Sequence, residues 1–383
     1  MSGTMSSTLT STLVLQVPYV DIAGQHAAIK EELLEAIDTV ITRGQFILGE
    51  EVERFERDFA KLCGVRFAVG LNSGTDALVL ALRALGVGDG EGDEVITAPN
   101  SFVASAGSIG LAGARPVFVD VGKDYNIDPG RIAEAITPST KAVMPVHLTG
   151  RPAAMDEIVE IASEFGLLVI EDCAQAVMAE YRGRRVGSLG HVGCFSFHPL
   201  KTLNACGDGG MVTTNDEELY EKLRVMRNLG LRTRDECVTW STNSRLDTLQ
   251  AAVLLVKLKY LERWTAKRRA NAAFYQAELG SLDEVVVPID ALHERASYHT
   301  FVIQAERRDE LRAHLKRRGV GTAVHYPVPI HLQPAAAELG NPPGSFPVTE
   351  RQVAKIVSLP VYPELQSSQL EHVVGAVHEF YRA

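Results

Sequence analysis

Apolar positions along the first two thirds of this chain alternate between two rhythms. Ile29, Leu33, Leu34 and Ile37 recur at helical spacing, followed by a turn bracketed by Gly44 and Gly49 and by the amphipathic stretch EVERFERDFAKLC. Then come short apolar runs of strand length, each bounded by turn residues and followed by a helical pattern. Phe67-Ala68-Val69 leads into a helix over 77–85, and DEVITAP leads into a helix that opens near Phe102. ARPVFVDV, KAVMPVHLTG and GLLVIEDC continue the series, with PGRIAEAI and MDEIVEIASEFG as helical segments between them. A run such as Leu167-Leu168-Val169-Ile170 without polar alternation predicts a strand buried on both faces, as in a parallel sheet. Strands alternating with helices at this spacing predict an α/β domain, a mostly parallel sheet flanked by helices.

The pattern changes after Asn243. A long alanine- and leucine-rich helical stretch, LDTLQAAVLLVKLKYLERWTAKRRANAAFYQAEL, has the length of a connecting element, kinked or broken on the way. Beyond it VVVP, YHTFVIQ and GVGTAVHYP read as strands, with RDELRAHLKRRG and 350–357 as helices, a smaller C-terminal α+β domain. The expected division is a disordered leader over 1–14, a large α/β domain over 15–250, and a connecting helix with the small domain over 251–383.

Charge and composition narrow the function. A formal net charge of −10 has the wrong sign for nucleic acid or an anionic membrane surface. No apolar run reaches the roughly 18 residues of a membrane span, and the polar first residues lack the basic and apolar regions of a signal peptide. Cys63, Cys173, Cys194, Cys206 and Cys237 are scattered, without C-x-x-C spacing, which predicts a reduced cytoplasmic protein with no structural metal.

The chemistry gathers around residues 171–211. Asp172 closes a predicted strand, where open α/β sheets place their ligands. Lys201 follows between SFHP and a Gly-Asp-Gly-Gly turn. A lysine with a depressed pKa can form Schiff bases, pyridoxal phosphate included, and that cofactor also needs a carboxylate at its ring nitrogen. Ser73-Gly74-Thr75, at a strand-to-helix junction, is either an anion cradle at a helix N-terminus or a plain capped helix. It lacks the G-x-x-x-x-G-K-[ST] pattern, which argues against an ATPase. Right-handed crossovers would bring VGLNSGT, APNSF, VHLTG and EDCAQ to one sheet edge. His147 reads either as a hydrogen-bonded buried histidine or as a substrate contact, and HYPVPIH either as a proline turn or as a substrate loop.

Taken in order, NSGTDAL, IEDCAQA, SFHPLK, GDGGM, NSRLDTLQAA and HYPVPIHLQP resemble the DegT/StrS sugar aminotransferases over nearly the whole chain, from about residue 17 to 382. The resemblance implies a fold-type-I pyridoxal 5'-phosphate enzyme that moves an amino group from glutamate or glutamine to a keto-sugar, usually nucleotide-linked, giving an amino-sugar. Lys201 would carry the cofactor and move the proton, Asp172 would pair with the ring nitrogen, and Gln175 would lie near the phenolic oxygen. Gly74, Thr75 and Ser196 would hold the phosphate, Phe102 would stack on the ring, and His198 would be a pocket or phosphate neighbour. Asn243 would reach a phosphate across a homodimer interface, so that active sites are shared. His147, His325, Tyr326 and His331 are the expected substrate contacts.

The chain departs from the family pattern at Thr149, where tyrosine is common, at Ser241-Thr242, and at Asn204, where glycine usually follows the lysine loop. GVGDGEGDEV reads as a surface insertion. Lys201 argues against the related dehydratases, which carry histidine there. Two other classes remain: a lyase or desulfurase of the same fold, for which Cys206 near Lys201 is the cysteine to watch, and a non-catalytic regulator that kept the fold.

Overall fold

The structure, a computed structural model, describes residues 15–382. The expected leader lies outside the described residues.

A seven-stranded sheet forms the centre, in the order Phe67–Leu71, Gly210–Thr214, Val192–Ser196, Leu168–Asp172, Thr140–Met144, Glu94–Thr97, Arg115–Phe118. Gly210–Thr214 runs antiparallel to both neighbours, while the other neighbouring pairs are parallel. The sheet is buried on both faces because successive side chains point to opposite sides. Val169 joins the cluster of Ile96, Val143 and Ile158. The next residue, Ile170, joins that of Ala77, Leu78 and Met144 on the other face. Hence the unbroken apolar run.

The parallel strands all end at one edge, and each is followed by a loop or helix start carrying a polar residue. This is how the fold gathers chemistry: position in the strand, not proximity in sequence, decides which side chains meet.

The long helix after Asn243 is broken into Thr248–Leu258 and Leu261–Leu279. The first half packs Ala251 and Leu254 against Phe55 and Leu203. The second half puts Ala272, Tyr275 and Leu279 into a separate core with Phe301, Leu315, Val357 and Val373. The break in packing therefore falls at Lys259-Tyr260.

The smaller sheet differs from expectation. Its strands are Val285–Val286, Phe301–Ala305 and Ile356–Leu359, all antiparallel. GVGTAVHYP is not a strand and makes only single bridges, Val320 with Val17 and Ala323 with Ser358. Pro327 and Pro329 have no N–H for a ladder, which turns this segment away from the sheet. The helix expected over 350–357 is Pro347–Lys355, and the β-branched Ile356-Val357 begins the third strand instead. The closing helix Ser367–Arg382, which the sequence pattern left unread, covers the small core. No helix among the described residues is long and apolar enough to cross a membrane.

Candidate active site

A cavity of about 300 Å³ opens at the strand ends, against the smaller sheet's loops. Asp172 lies on its floor, 4% exposed. Its Oδ2 accepts from Ser105 Oγ at 2.7 Å and its Oδ1 from the Ala174 N–H at 3.1 Å. Two donors on two oxygens fix the carboxylate's orientation.

Lys201 lines the same cavity from the loop between Val192–Ser196 and Gly210–Thr214. Its backbone N–H donates to His198 O at 2.8 Å. Burial pushes the amine down from 10.5 to about 8, with the Asp172 charge pulling the other way. The neutral, nucleophilic amine is thus far more populated near neutral pH than that of an ordinary lysine, though still the minor form.

The helix Gly74–Ala84 opens onto the cavity, with Ser73 as its cap: Ser73 Oγ accepts from the Asp76 N–H at 3.1 Å. The amides of Gly74 and Thr75 lie in the first helical turn, whose N–H groups suit an anion. Gly74 cannot be larger, since a Cβ there would sit 2.6 Å from Ser196 Cβ. Gly74→Ala is expected to displace Ser196 and deform the cradle. Overpacking of about 1–3 kcal/mol should appear as about tenfold weaker cofactor binding in a fluorescence titration; unchanged affinity would refute this cradle.

Phe102 precedes the helix Val103–Ala112 and is 51% exposed, its ring 5.5 Å from that of Tyr326. An aromatic left this open on a cavity wall offers a flat apolar face to a ligand. Gln175 is committed on both ends: its Oε1 accepts from the Thr149 N–H at 2.8 Å and its Nε2 donates to Tyr326 Oη at 3.0 Å. His325 bonds Ser358 Oγ through Nδ1 at 2.8 Å, and burial pushes it down to about 4, so it stays neutral at physiological pH.

The structure thus brings Gly74, Thr75, Phe102, Asp172, Gln175, Ser196, His198, Lys201, His325 and Tyr326 into one cavity. Two of the expected substrate contacts stand outside the cavity of this chain. His147 is fully buried, bonding Glu171 Oε2 at 3.0 Å through Nε2 and accepting the Ala153 N–H at 3.0 Å through Nδ1. His331 is 3% exposed and bonds Glu350 at 3.2 Å. Neither lines the cavity. Asn243 is exposed and stands outside its own chain's cavity.

His147, Glu171 and Cys173 hold potential metal donors within 4.8 Å of one another. Glu171, however, already accepts from the N–H groups of Gly187, Leu189 and Gly190 at 2.7–2.8 Å as well as from His147. Burial raises the Cys173 thiol well above its ordinary range. The cluster is a satisfied structural network.

Tyr19, Arg268 and His299 also line the cavity and were not singled out from sequence. Arg268 Nη1 donates to the carbonyls of Tyr298 and His299 at 3.4 and 3.3 Å, and burial pushes it down to about 10. Burial, aided by Lys201, holds His299 well below the usual histidine range. Each comes from an element distant in sequence, without a local motif.

The sequence profile of the DegT/DnrJ/EryC1/StrS aminotransferase family matches residues 27–378. A dTDP-3-amino-3,4,6-trideoxy-alpha-D-glucose transaminase of Streptomyces venezuelae is 45% identical over 366 residues, covering 95% of this chain and 96% of the relative. A "pleiotropic regulatory protein" of Geobacillus stearothermophilus is also 45% identical, covering 96% of this chain and 99% of its own length. The crystal structure of S. venezuelae DesV in complex with a ketimine intermediate superposes with a TM-score of 0.94 at 45% identity, covering 96% of this chain and 99% of that one. The chain belongs to the DegT/DnrJ/EryC1/StrS family, fold-type-I aminotransferases that depend on pyridoxal phosphate, a cofactor that the Asp172–Lys201 cavity fits.

Proposed function

We propose that this aminotransferase transfers an amino group from glutamate or glutamine to a nucleotide-linked keto-sugar, supplying an amino-sugar. The observation that carries the reading is the pairing, in one cavity, of a desolvated lysine with an oriented, buried carboxylate. The sugar is supported by the S. venezuelae relative, named for a dTDP-sugar product.

When bound, pyridoxal phosphate supplies an electron sink for the charge left by proton loss. Asp172 presents its fixed carboxylate to the ring nitrogen. Lys201 Nζ, neutral in a useful fraction near pH 8, would take the donor's α-proton and pass it to the cofactor carbon that bears the amino nitrogen; in the second half-reaction it would move a proton from there to the sugar carbon that receives the amino group. Gly74, Thr75 and Ser196 would seat the phosphate, and Phe102 would cover the ring face; both would restrict the reacting groups to one geometry. Tyr326 and His325 line the same cavity and would contact the substrate.

A second copy of the chain completes the site in this reading. Trp240 is 94% exposed, close in sequence to Asn243, and Phe46, Ile47, Leu229 and Val238 are each more than 40% exposed nearby along the same segments. Such a group of apolar side chains around a polar one supports a homodimer contact. Free cysteines among the described residues support a reducing, cytoplasmic setting.

The test is the half-reaction. Purified protein loaded with pyridoxal phosphate should lose its visible absorption band when L-glutamate or L-glutamine is added and regain it with the keto-sugar. A band that no amino acid bleaches would favour the lyase or desulfurase reading, and no bound cofactor would favour the regulator. Mixed Lys201→Ala and Asn243→Ala subunits should recover activity, because a hybrid dimer keeps one intact site; no recovery would place Asn243 outside any shared site.

A further inference from the structure

A second buried lysine lies behind the first. Lys257, on the helix Thr248–Leu258, is 0% exposed. Its Nζ donates to Asn204 Oδ1 at 2.5 Å, to the Asn204 backbone O at 2.9 Å and to His26 Nε2 at 2.7 Å. An ammonium has three N–H groups, so every one is used, and on neutral acceptors. A charge buried without an acidic partner is expensive, and an apolar side chain would serve the packing of a helix better. The ammonium's place is explained by what it holds.

It holds Asn204, which in turn holds Lys201. Asn204 is 3% exposed; its Nδ2 donates to the Lys201 backbone O at 3.0 Å and to Gln25 Oε1 at 3.4 Å. The stretch 197–209 contains no helix or strand; a few backbone bonds, Phe197 N–H to Gly209 O and Ala205 N–H to Phe197 O among them, and side-chain bonds together define its path. His198 O holds the N–H of Lys201, and Asn204 Nδ2 holds its carbonyl. Gln25 and His26 come from the helix Ile22–Ala27, and Tyr19 and Val20, just before it, line the cavity.

We propose that Lys257, acting through Asn204, is a positioning residue for Lys201, and that Gln25 and His26 complete a clamp joining the N-terminal helix to the lysine loop. The proposal rests on Lys201 being the cofactor-bearing amine. Asn204 thus holds the Lys201 loop by a side-chain amide.

The test compares wild type with Lys257→Met, Asn204→Gly and the double variant. In the apo protein, the pH dependence of chemical labelling at Lys201, resolved by peptide mass spectrometry, reports its amine. In the loaded enzyme, kcat and the donor KM are measured. A loosened loop hydrates Lys201, so each single variant should raise its titration by about one pH unit. The same variants should lower kcat about tenfold while the donor KM stays within about twofold. The double variant should be no worse than either single, since one chain of contacts is cut once or twice. A Lys257→Met protein that melts earlier yet keeps the wild-type Lys201 titration and kcat would reduce the contact to structure and overturn the proposal, as would additive losses. If Lys257→Met does not fold, Asn204→Gly decides alone: an unchanged Lys201 titration overturns the clamp. Because labelling needs no cofactor, failure of wild type to bind pyridoxal phosphate would sink the function of Lys201 without deciding the clamp's geometry.

Discussion

Lys201→Ala is expected to lower the rate of amino transfer by about 10⁴-fold or more, because in the proposed mechanism one group would serve as both covalent anchor and proton carrier. The fold should survive: the side chain lines a cavity and its burial disfavours its own charge, so truncation removes a strained group, not a packed one. Single-turnover kinetics with the donor read the loss, and a variant keeping a tenth of the wild-type rate would move the chemistry to another amine. The same variant tests the electrostatics. A folded-state pKa lowered from 10.5 to about 8 means that the unfolded chain binds the proton more tightly between those values. Stability of the apo protein therefore rises with pH across that window. Lys257, likewise pushed down to about 8 by burial, contributes with the same sign. Lys201→Ala should make the rise shallower, measured as Tm against pH; an unaltered slope would show that Lys201 titrates normally.

Asp172→Asn is expected to cost about 10²–10³-fold in kcat with cofactor binding nearly intact, the signature of a charge that acts on the reaction and not on seating. The substitution is nearly isosteric. Asparagine's oxygen can still accept the Ala174 N–H, and the Ser105 hydroxyl can turn to accept from its amide. The proposed phosphate cradle at Gly74 and Thr75 belongs to another element, the helix Gly74–Ala84, and stays in place. Equilibrium binding and kcat on one preparation check this. Equal losses in both would mean that Asp172 holds the cofactor more than it tunes it, and no loss in kcat would remove it from the chemistry.

Much of the architecture was written locally. The unbroken apolar run before Asp172 required a sheet covered on both faces, and the alternation of strands and helices required a largely parallel one. Handed crossovers then place the strand ends together, so Gly74, Phe102, Asp172, Gln175 and Lys201 share a cavity for reasons visible in spacing alone. What the sequence could not decide depends on partners distant along the chain. His147 and His331 look like ligand-seeking histidines in a string of letters, and only their contacts with Glu171 and Glu350 show them buried and occupied. Arg268 and His299 reach the cavity from a connecting helix and from beside the small sheet, where no local period marks them. Ile356–Leu359 is a strand because Phe301–Ala305 offers the β-branched Ile356 and Val357 an edge to pair with, a partner the local pattern does not show. The role of Asn204 is the sharpest case. As a letter it was a departure from a pattern, and its meaning came from an ammonium 53 residues away, since a buried polar group is defined by the partner that satisfies it.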